Sequence, residues 1–145
     1  MDKIATQRWV QKNGAVVLLE ESHGLPIVDL DFAFRTGSVF DPKGREGTTR
    51  MMWRVLRMGT AKMDASQIED RIASLGARIS IQISTSAVRV QGVVIRRNLE
   101  PFMALLSQLI TGPAFRAADL GRARREALSE IISMRDDDRT LAARV

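Results

Sequence analysis

The amino-acid sequence predicts an α+β domain in which helices pack on one face of a largely antiparallel sheet. Three observations support this fold class. Segments with apolar residues at every second position occur beside segments whose apolar residues recur at helical spacing. Two pairs of predicted strands are joined by short turns, a connection that antiparallel strands allow. Runs of strands are interrupted by helix pairs, which favours helices covering one face of a sheet.

The composition is that of a single globular domain. The chain has 145 residues, of which 45% are hydrophobic and 27% charged, enough to bury a core without disulfides. It has no cysteine, which excludes thiolate chemistry and Cys-ligated zinc. It has no run of about 18 apolar residues and no apolar signal segment, so we predict no membrane span. The compartment stays open, with a bacterial periplasm or cytoplasm both plausible.

Three strands are predicted in the N-terminal part of the chain. The Asn-Gly pair at 13–14 is a strong hairpin signal and joins predicted strands at 7–12 and 15–21. Residues 27–35 alternate apolar with polar side chains, which is typical of a strand with one buried face. Gly37 and the serine after it end that strand.

Helices and a second strand pair are predicted in the remainder. A helix runs from about Gly47 to Met58, and Asp64 with Gln67 forms a capping-box sequence for a second helix. The elements predicted from there on are a helix at 65–75, strands at 78–84 and 87–95, a helix at 99–111 capped by Asn98, and a long helix or bent pair over 117–144.

The basic charge allows two interpretations. A net charge of +5 is a feature of nucleic-acid-binding proteins. However, the basic residues are spread evenly along the chain and mixed with acids, and no aromatic pair accompanies a basic strand. We favour a solvated surface of mixed charge and keep a nucleic-acid or anionic-surface binding domain as the alternative. The single histidine, His23, lies in a predicted turn, where we expect an exposed residue without a catalytic role.

The first predicted helix has an unusual face. On a helical wheel, four residues fall together on one side: Arg50, Trp53, Arg54 and Arg57. The opposite side forms a predicted core stripe of Met51, Met52, Val55, Leu56 and Met58. The arginine-tryptophan side is either a solvent-facing cationic surface with the indole partly covered by arginine stems, or a face that meets a carboxylate across a groove.

The segment GTTRMMWRVLRMGT at 47–60 resembles the inverted zinc-peptidase motif G-x-x-H-x-x-E-H-x-x-x-x-G-T of the pitrilysin, or insulinase, family, which includes mitochondrial processing peptidase. Similar family features flank it: Asn13-Gly14, Pro26, Gly37-Ser38, Asp41-Pro42 and Gly44 before it, and Leu75-Gly76-Ala77, Pro113-Ala114-Phe115, Arg125 to Ile131 and Asp136-Asp137 after it. The resemblance implies the N-terminal portion of a domain of this family. Because the family's repeat unit is longer, it also implies that 1–145 is an incomplete part of a longer protein, with apolar surface left for another segment or chain.

The residues at the motif positions cannot support catalysis. In active members, two histidines bind zinc and the glutamate is the general base. Here those positions carry Arg50, Trp53 and Arg54; arginine keeps its proton and cannot bind a metal, and tryptophan cannot accept a proton. Glu130 matches the family's third ligand, but one carboxylate cannot hold catalytic zinc. We therefore expect no catalytic residue and no metal in this chain, and zinc only in an active partner. Histidine, glutamate and histidine restored at these positions are expected to recreate a zinc site.

The resemblance implies a function in peptide handling. Inactive domains of this family pair with active ones, and the two form a chamber around the substrate peptide. We therefore expect an active family subunit or domain as partner, in a homo- or heterodimer, and a peptide as substrate. An active endopeptidase that exists only as a complex is a further alternative.

A peptide-binding strand is implied by the same resemblance. The family's edge strand matches Arg78, Ile79, Ser80, Ile81, Gln82, Ile83 and Ser84. An edge strand can accept an extended peptide through main-chain hydrogen bonds. An internal strand with one solvated face is the alternative.

An ion pair is also expected where the family has its metal. Without zinc, Arg50 or Arg54 is expected to pair with Glu130 across two helices. If that pair is buried, removal of one partner should be strongly destabilising, because it leaves an uncompensated charge.

Overall fold

The structure, a computed structural model, describes residues 5–135. Its elements in chain order are β1 Thr6–Val10, β2 Val16–Glu20, β3 Ile27–Phe34, α1 Thr48–Leu56, α2 Ala65–Ser74, β4 Arg78–Ile83, β5 Val88–Ile95, α3 Leu99–Thr111 and α4 Ala117–Arg135. This is the predicted order, with boundaries that differ by a few residues. The part of the predicted last helix after residue 135 lies outside the described residues.

Three strands form the central sheet in the order β3-β5-β4, and both neighbouring pairs are antiparallel. The strands β1 and β2 form a separate antiparallel hairpin. Its loop contains Gly14 with a φ of 85°, a left-handed conformation that glycine adopts without a Cβ clash. The predicted α+β class with a largely antiparallel sheet is confirmed.

The core lies between one face of the sheet and the helices. Along β5, the alternate residues Val88, Val90 and Val94 are buried on this face. Helices α1, α2 and α3, with the residues that end them, contribute the other large core side chains: Trp53, Leu56, Ile68, Ile72, Leu75, Phe102, Leu105, Leu106 and Leu109. Gly92 takes the remaining position of β5, where an added Cβ would lie 2.8 Å from the ring of Phe102. Glycine therefore lets α3 approach the middle of the sheet.

The helix starts agree with the sequence in one case and differ in another. Helix α2 has both hydrogen bonds of the predicted capping box, Gln67 N to Asp64 Oδ1 and Asp64 N to Gln67 Oε1, each 2.9 Å. Asn98 occupies the predicted N-cap position of α3, but it forms no side-chain cap bond and has a φ of −105° and a ψ of 9°, outside the extended region usual for an N-cap. Its Nδ2 instead donates to the carbonyl of Leu75 at 2.9 Å, which links the end of α2 to the start of α3.

The hairpin leaves much apolar surface in contact with solvent. Its exposed large apolar residues are Trp9, Val10, Val16, Leu18 and Leu19. Leu18 is 64% exposed. None of the helices within residues 5–135 combines the length and the apolar character needed to cross a membrane.

Candidate functional site

Helix α1 is capped by a carboxylate from the loop before it. Its N-cap residue is Gly47, which has no side chain to accept a hydrogen bond. Asp41 accepts instead from Gly47 N at 2.7 Å, from Thr49 N at 2.8 Å and from Thr49 Oγ1 at 2.6 Å. These bonds, with the Thr49 hydroxyl first among them, hold the pKa of the Asp41 carboxyl below its ordinary value. The loop is therefore fastened to the first turn of α1 through donors that a helix start leaves unpaired.

The same loop also lies against the turn between β4 and β5. Val39 N donates to the carbonyl of Thr85 at 3.0 Å. A Cβ at Gly37 would lie 2.3 Å from the Thr85 carbonyl oxygen, so a larger residue would push the loop away. The sequence indicated Gly37 only as the end of β3, whereas this close approach is a tertiary requirement.

Trp53 is part of the core. It is 5% exposed, and its ring centroid lies 5.3 Å from that of Phe34. The interpretation of Trp53 as a solvent-facing residue covered by arginine stems was therefore wrong. The buried residues of α1 are Thr49, Trp53, Val55 and Leu56. The predicted core stripe is therefore confirmed at Val55 and Leu56, whereas Met52 is exposed. The helical wheel groups Trp53 with the polar arginines, but the large apolar area of the indole favours its burial.

The indole nitrogen of Trp53 is buried without a hydrogen-bond partner among the described residues. An unpaired buried donor costs about 1–3 kcal/mol. A carboxylate at this position would lose most of its hydration, so a glutamate here would carry a desolvation cost.

Arg54 pairs with Glu130 of α4, 76 residues further along the chain. Its Nη1 donates to Glu130 Oε2 at 3.0 Å and its Nη2 donates to Oε1, so the pair is bidentate. Glu126 Oε2 also lies 3.9 Å from Arg54 Nε. The hydrogen bonds from Arg54 are the main cause that lowers the pKa of Glu130, and Glu130 in turn raises the pKa of Arg54.

The expected ion pair between α1 and α4 is thus present, but it is not buried. The Arg54 side chain is 26% exposed and that of Glu130 is 48% exposed. Water solvates both partners, so the strong destabilisation expected for breaking a buried pair does not apply.

This set of side chains does not fit zinc. Guanidinium and indole groups offer no lone pair to a metal, and both oxygens of Glu130 accept hydrogen bonds from Arg54. Across the described part of the chain, no group of three His, Cys, Asp or Glu side chains is placed to hold a metal ion. His23 is 81% exposed in the loop before β3, in agreement with the predicted exposed turn residue.

Strand β4 lies at an edge of the central sheet in the described part of the chain. Ser84 N donates to the carbonyl of Ala87 at 2.9 Å, which sets the hydrogen-bonding phase of the β4–β5 pair. Because bonded residues alternate along an antiparallel strand, the main-chain amides of Ile79, Ile81 and Ile83 point away from β5. They therefore face the free edge.

Two contacts delimit this free edge. At one end, Arg57 Nη1 donates to the carbonyl of Ile79 at 3.2 Å. At the other end, the carbonyl of Thr85 accepts from Val39 N. The interval from Ile79 to Thr85 spans about 20 Å at about 3.3 Å per residue, which is the length of a short extended peptide.

A cavity of about 460 Å³ lies beside this edge, between β4 and α1. Its lining residues are Ser38, Arg50, Ile81, Ile83, Ser84 and Thr85. Of the motif positions, Arg50 alone belongs to this lining; Trp53 and Arg54 do not. Sequence analysis did not identify Ser38 and Thr85, since no local signal marks residues that only a loop-to-turn contact brings together.

Comparison with known proteins gives one family and several relatives. Residues 16–144 match the sequence model of the family described as insulinase (peptidase family M16). A relative from Helicobacter pylori, described as the non-peptidase homolog YmxG, is 21% identical over 132 residues, which are 91% of this chain and 31% of that protein.

Two solved structures have the same fold. A crystal structure of a peptidase M16 inactive domain from Pseudomonas fluorescens superposes with a TM-score of 0.90 at 25% identity, covering 95% of this chain and 34% of that chain. The structure of a protease from Helicobacter pylori gives a TM-score of 0.78 at 16% identity, covering 88% and 30%; it shows the fold alone. The chain spans about a third of the length of these relatives.

The resemblance inferred from residues 47–60 is thereby confirmed. The names of the non-peptidase homologue and of the inactive domain agree with the absence of a zinc-binding triplet at Arg50, Trp53 and Arg54. This chain is a non-catalytic homologue of a metallopeptidase, and it belongs to the insulinase family, peptidase family M16.

Proposed function

We propose that this chain is the non-catalytic half of a peptide-binding unit. It binds an extended peptide at the free edge of β4 and positions it. An active M16 subunit or domain, which carries the zinc, hydrolyses that peptide. The observation that carries this proposal is the free edge from Ile79 to Ile83 beside the cavity at α1.

The chemistry of β4 supports peptide binding. Natural sheet edges are usually protected by charged residues, proline, bulges or cover. Between Ile79 and Ile83, β4 has neither a charged residue nor a proline, while β3 at the opposite edge carries Asp29 and Asp31. A peptide that joins β4 gains main-chain hydrogen bonds, and its alternate side chains meet the isoleucines of the helix-facing side.

A partner is supported by the surface of the hairpin. Exposed apolar side chains such as Trp9 and Leu18 form a surface whose contact with water is energetically unfavourable. We assign that surface to another segment or subunit of the assembly. No group of metal-binding side chains occurs among residues 5–135, so in this proposal a second, active M16 domain carries out the hydrolysis.

Proline at position 81 tests the binding edge. Ile81→Pro removes the outward amide N–H without removing a hydrogen bond to β5. We expect it to weaken binding of a fluorescently labelled extended peptide by at least about tenfold, since one main-chain bond is lost and the ring obstructs pairing. Fluorescence anisotropy measures the affinity, and circular dichroism checks the fold.

Ala33→Pro is the matched control at the opposite edge. Arg96 N donates to the carbonyl of Pro26 at 2.9 Å, which sets the phase of the β3–β5 pair, so the amide of Ala33 also points away from the sheet. This variant should bind peptide as wild type does. Equal affinity of wild type and folded Ile81→Pro would refute the proposed edge.

A further inference from the structure

The cavity beside β4 carries one positive charge and no negative charge in its lining. Arg50 supplies the charge, and Ile81 with Ile83 supplies an apolar wall. The Ser84 hydroxyl is already engaged in two hydrogen bonds: its Oγ donates to the carbonyl of Ala87 at 2.8 Å and accepts from Ala87 N at 3.1 Å. The cavity is therefore cationic at one point and apolar beside it.

Arg50 has its donors available. Along α1, Arg54 pairs with Glu130 and Arg57 pairs with Glu69, whereas Arg50 makes no ion pair or side-chain hydrogen bond within residues 5–135. Glu130 is close enough for the charge of Arg50 to contribute to its lowered pKa. Both oxygens of Glu130, however, already accept hydrogen bonds from Arg54. The planar fork of Arg50 can thus receive a carboxylate from outside in a bidentate pair.

A peptide paired with β4 presents alternate side chains to this cavity. Successive side chains of a strand point to opposite faces, so every second one lies on the helix-facing side with Ile81 and Ile83. A peptide carboxylate on that side can reach Arg50 while its neighbours two residues away lie near the isoleucines. A lysine at the same position would bring two cations together, and an apolar residue would remove water from Arg50 without replacing its hydrogen bonds.

We propose that this site selects extended peptides with an aspartate or glutamate opposite Arg50 and apolar side chains two residues to either side. The proposal rests on the proposed peptide binding at β4 and names its substrate class. An acidic-apolar alternation is the chemical complement of one guanidinium beside two isoleucines.

Two labelled peptides that differ in one residue test this selectivity. The first is Thr-Val-Thr-Glu-Thr-Val-Thr, and in the second the central glutamate is replaced by glutamine. Wild type should bind the glutamate peptide about tenfold more tightly, equivalent to about 1.4 kcal/mol. The readout is fluorescence anisotropy of the 145-residue chain at fixed ionic strength.

Arg50→Gln should remove the preference, so that this variant binds the two peptides with equal affinity. Arg97→Gln, which removes an exposed arginine outside the cavity, should keep the tenfold preference. If wild type binds both peptides equally, the charge selectivity is wrong while peptide binding stands. If wild type binds neither, the proposed function is wrong and this inference with it. Equal loss of preference in both variants would overturn the assignment to Arg50.

Discussion

Arg54 and Glu130 join α1 to α4 through a charge pair at positions that resemble metal-ligand positions of active relatives. The pair is partly solvated, and exposed pairs contribute little to stability. Its geometric consequence is larger, because Arg54 occupies both oxygens of Glu130 and so leaves Arg50 with free donors. The pairing of Arg54 with Glu130 therefore affects what Arg50, on the same helix, can bind.

The pH dependence of this pair is a testable consequence. The pKa of Glu130 is lowered on folding, so the pair stabilises the fold fully above the ordinary value of 4.5 and ceases to do so as pH falls through the lowered value. Glu130→Gln should therefore reduce the Tm modestly at pH 7, and the difference from wild type should disappear well below pH 4.5. Thermal melts monitored by circular dichroism over pH 2–7 measure it.

A double-mutant cycle provides the control for that result. Arg54→Gln alone should cost about as much as Glu130→Gln alone, and the double variant should be no less stable than either, because both single changes break the same pair. Additive losses would show that the two side chains act independently.

At the level of elements, the loop from Gly37 to Gly47 positions the candidate site. Asp41 fastens it to α1, and the contact between Gly37 and Thr85 fastens it to the β4–β5 turn. The loop thereby places Ser38 in the cavity wall opposite Arg50. This single loop therefore fixes the distance between α1 and the β4–β5 turn, which are far apart in the sequence.

Asp41→Asn tests this role. The change removes the negative charge at the helix start and one acceptor site, so we expect a lower Tm at pH 7 together with weaker peptide binding. Glu46→Gln is the matched control, since Glu46 accepts only from Gly44 N within the same loop and should have a smaller effect. Equal effects of the two changes would show that Asp41 has no special role.

Local signals predicted some elements well and others poorly, for physical reasons. The capping box of α2 was predictable because all its partners lie within three residues. Asn98 lies at the predicted N-cap position but does not form the capping bond, because its amide reaches Leu75, a contact that no local pattern shows. The face of α1 was misjudged because arginines surround Trp53 in sequence, while the sheet below the helix buries the indole beside Phe34.

At the scale of the whole molecule, part of the arginine surplus is neutralised by ion pairs among residues 5–135. The arginines in ion pairs with carboxylates are Arg54, Arg57, Arg89, Arg116 and Arg122. These pairs, in which arginines and carboxylates alternate on the surface, agree with a surface of mixed charge.

The approach of α1 and α4 makes metal binding a test of the whole arrangement. The double variant Arg50→His/Arg54→His, with Trp53 left in the core, should bind close to one zinc per chain, because two imidazoles and Glu130 then supply three ligands. Metal content after dialysis measures it. Wild type should hold no stoichiometric zinc, and adding Glu130→Ala to the variant should abolish binding. Zinc that persists without Glu130 would contradict the inferred geometry.

Periodicity and turn residues are local properties, and they were enough to predict the order of the elements. The motif frame at 47–60 was enough to recognise the resemblance to the family and the loss of the catalytic triplet. The sequence also predicted β4 as an edge strand and Glu130 as a partner for an arginine of α1, both through resemblance to the family. Three features follow from packing alone: Trp53 is buried, Arg54 rather than Arg50 pairs with Glu130, and Ser38 and Thr85 complete a cavity. Those outcomes depend on which residues distant in the chain approach one another, and that is decided by packing of the helices against the sheet.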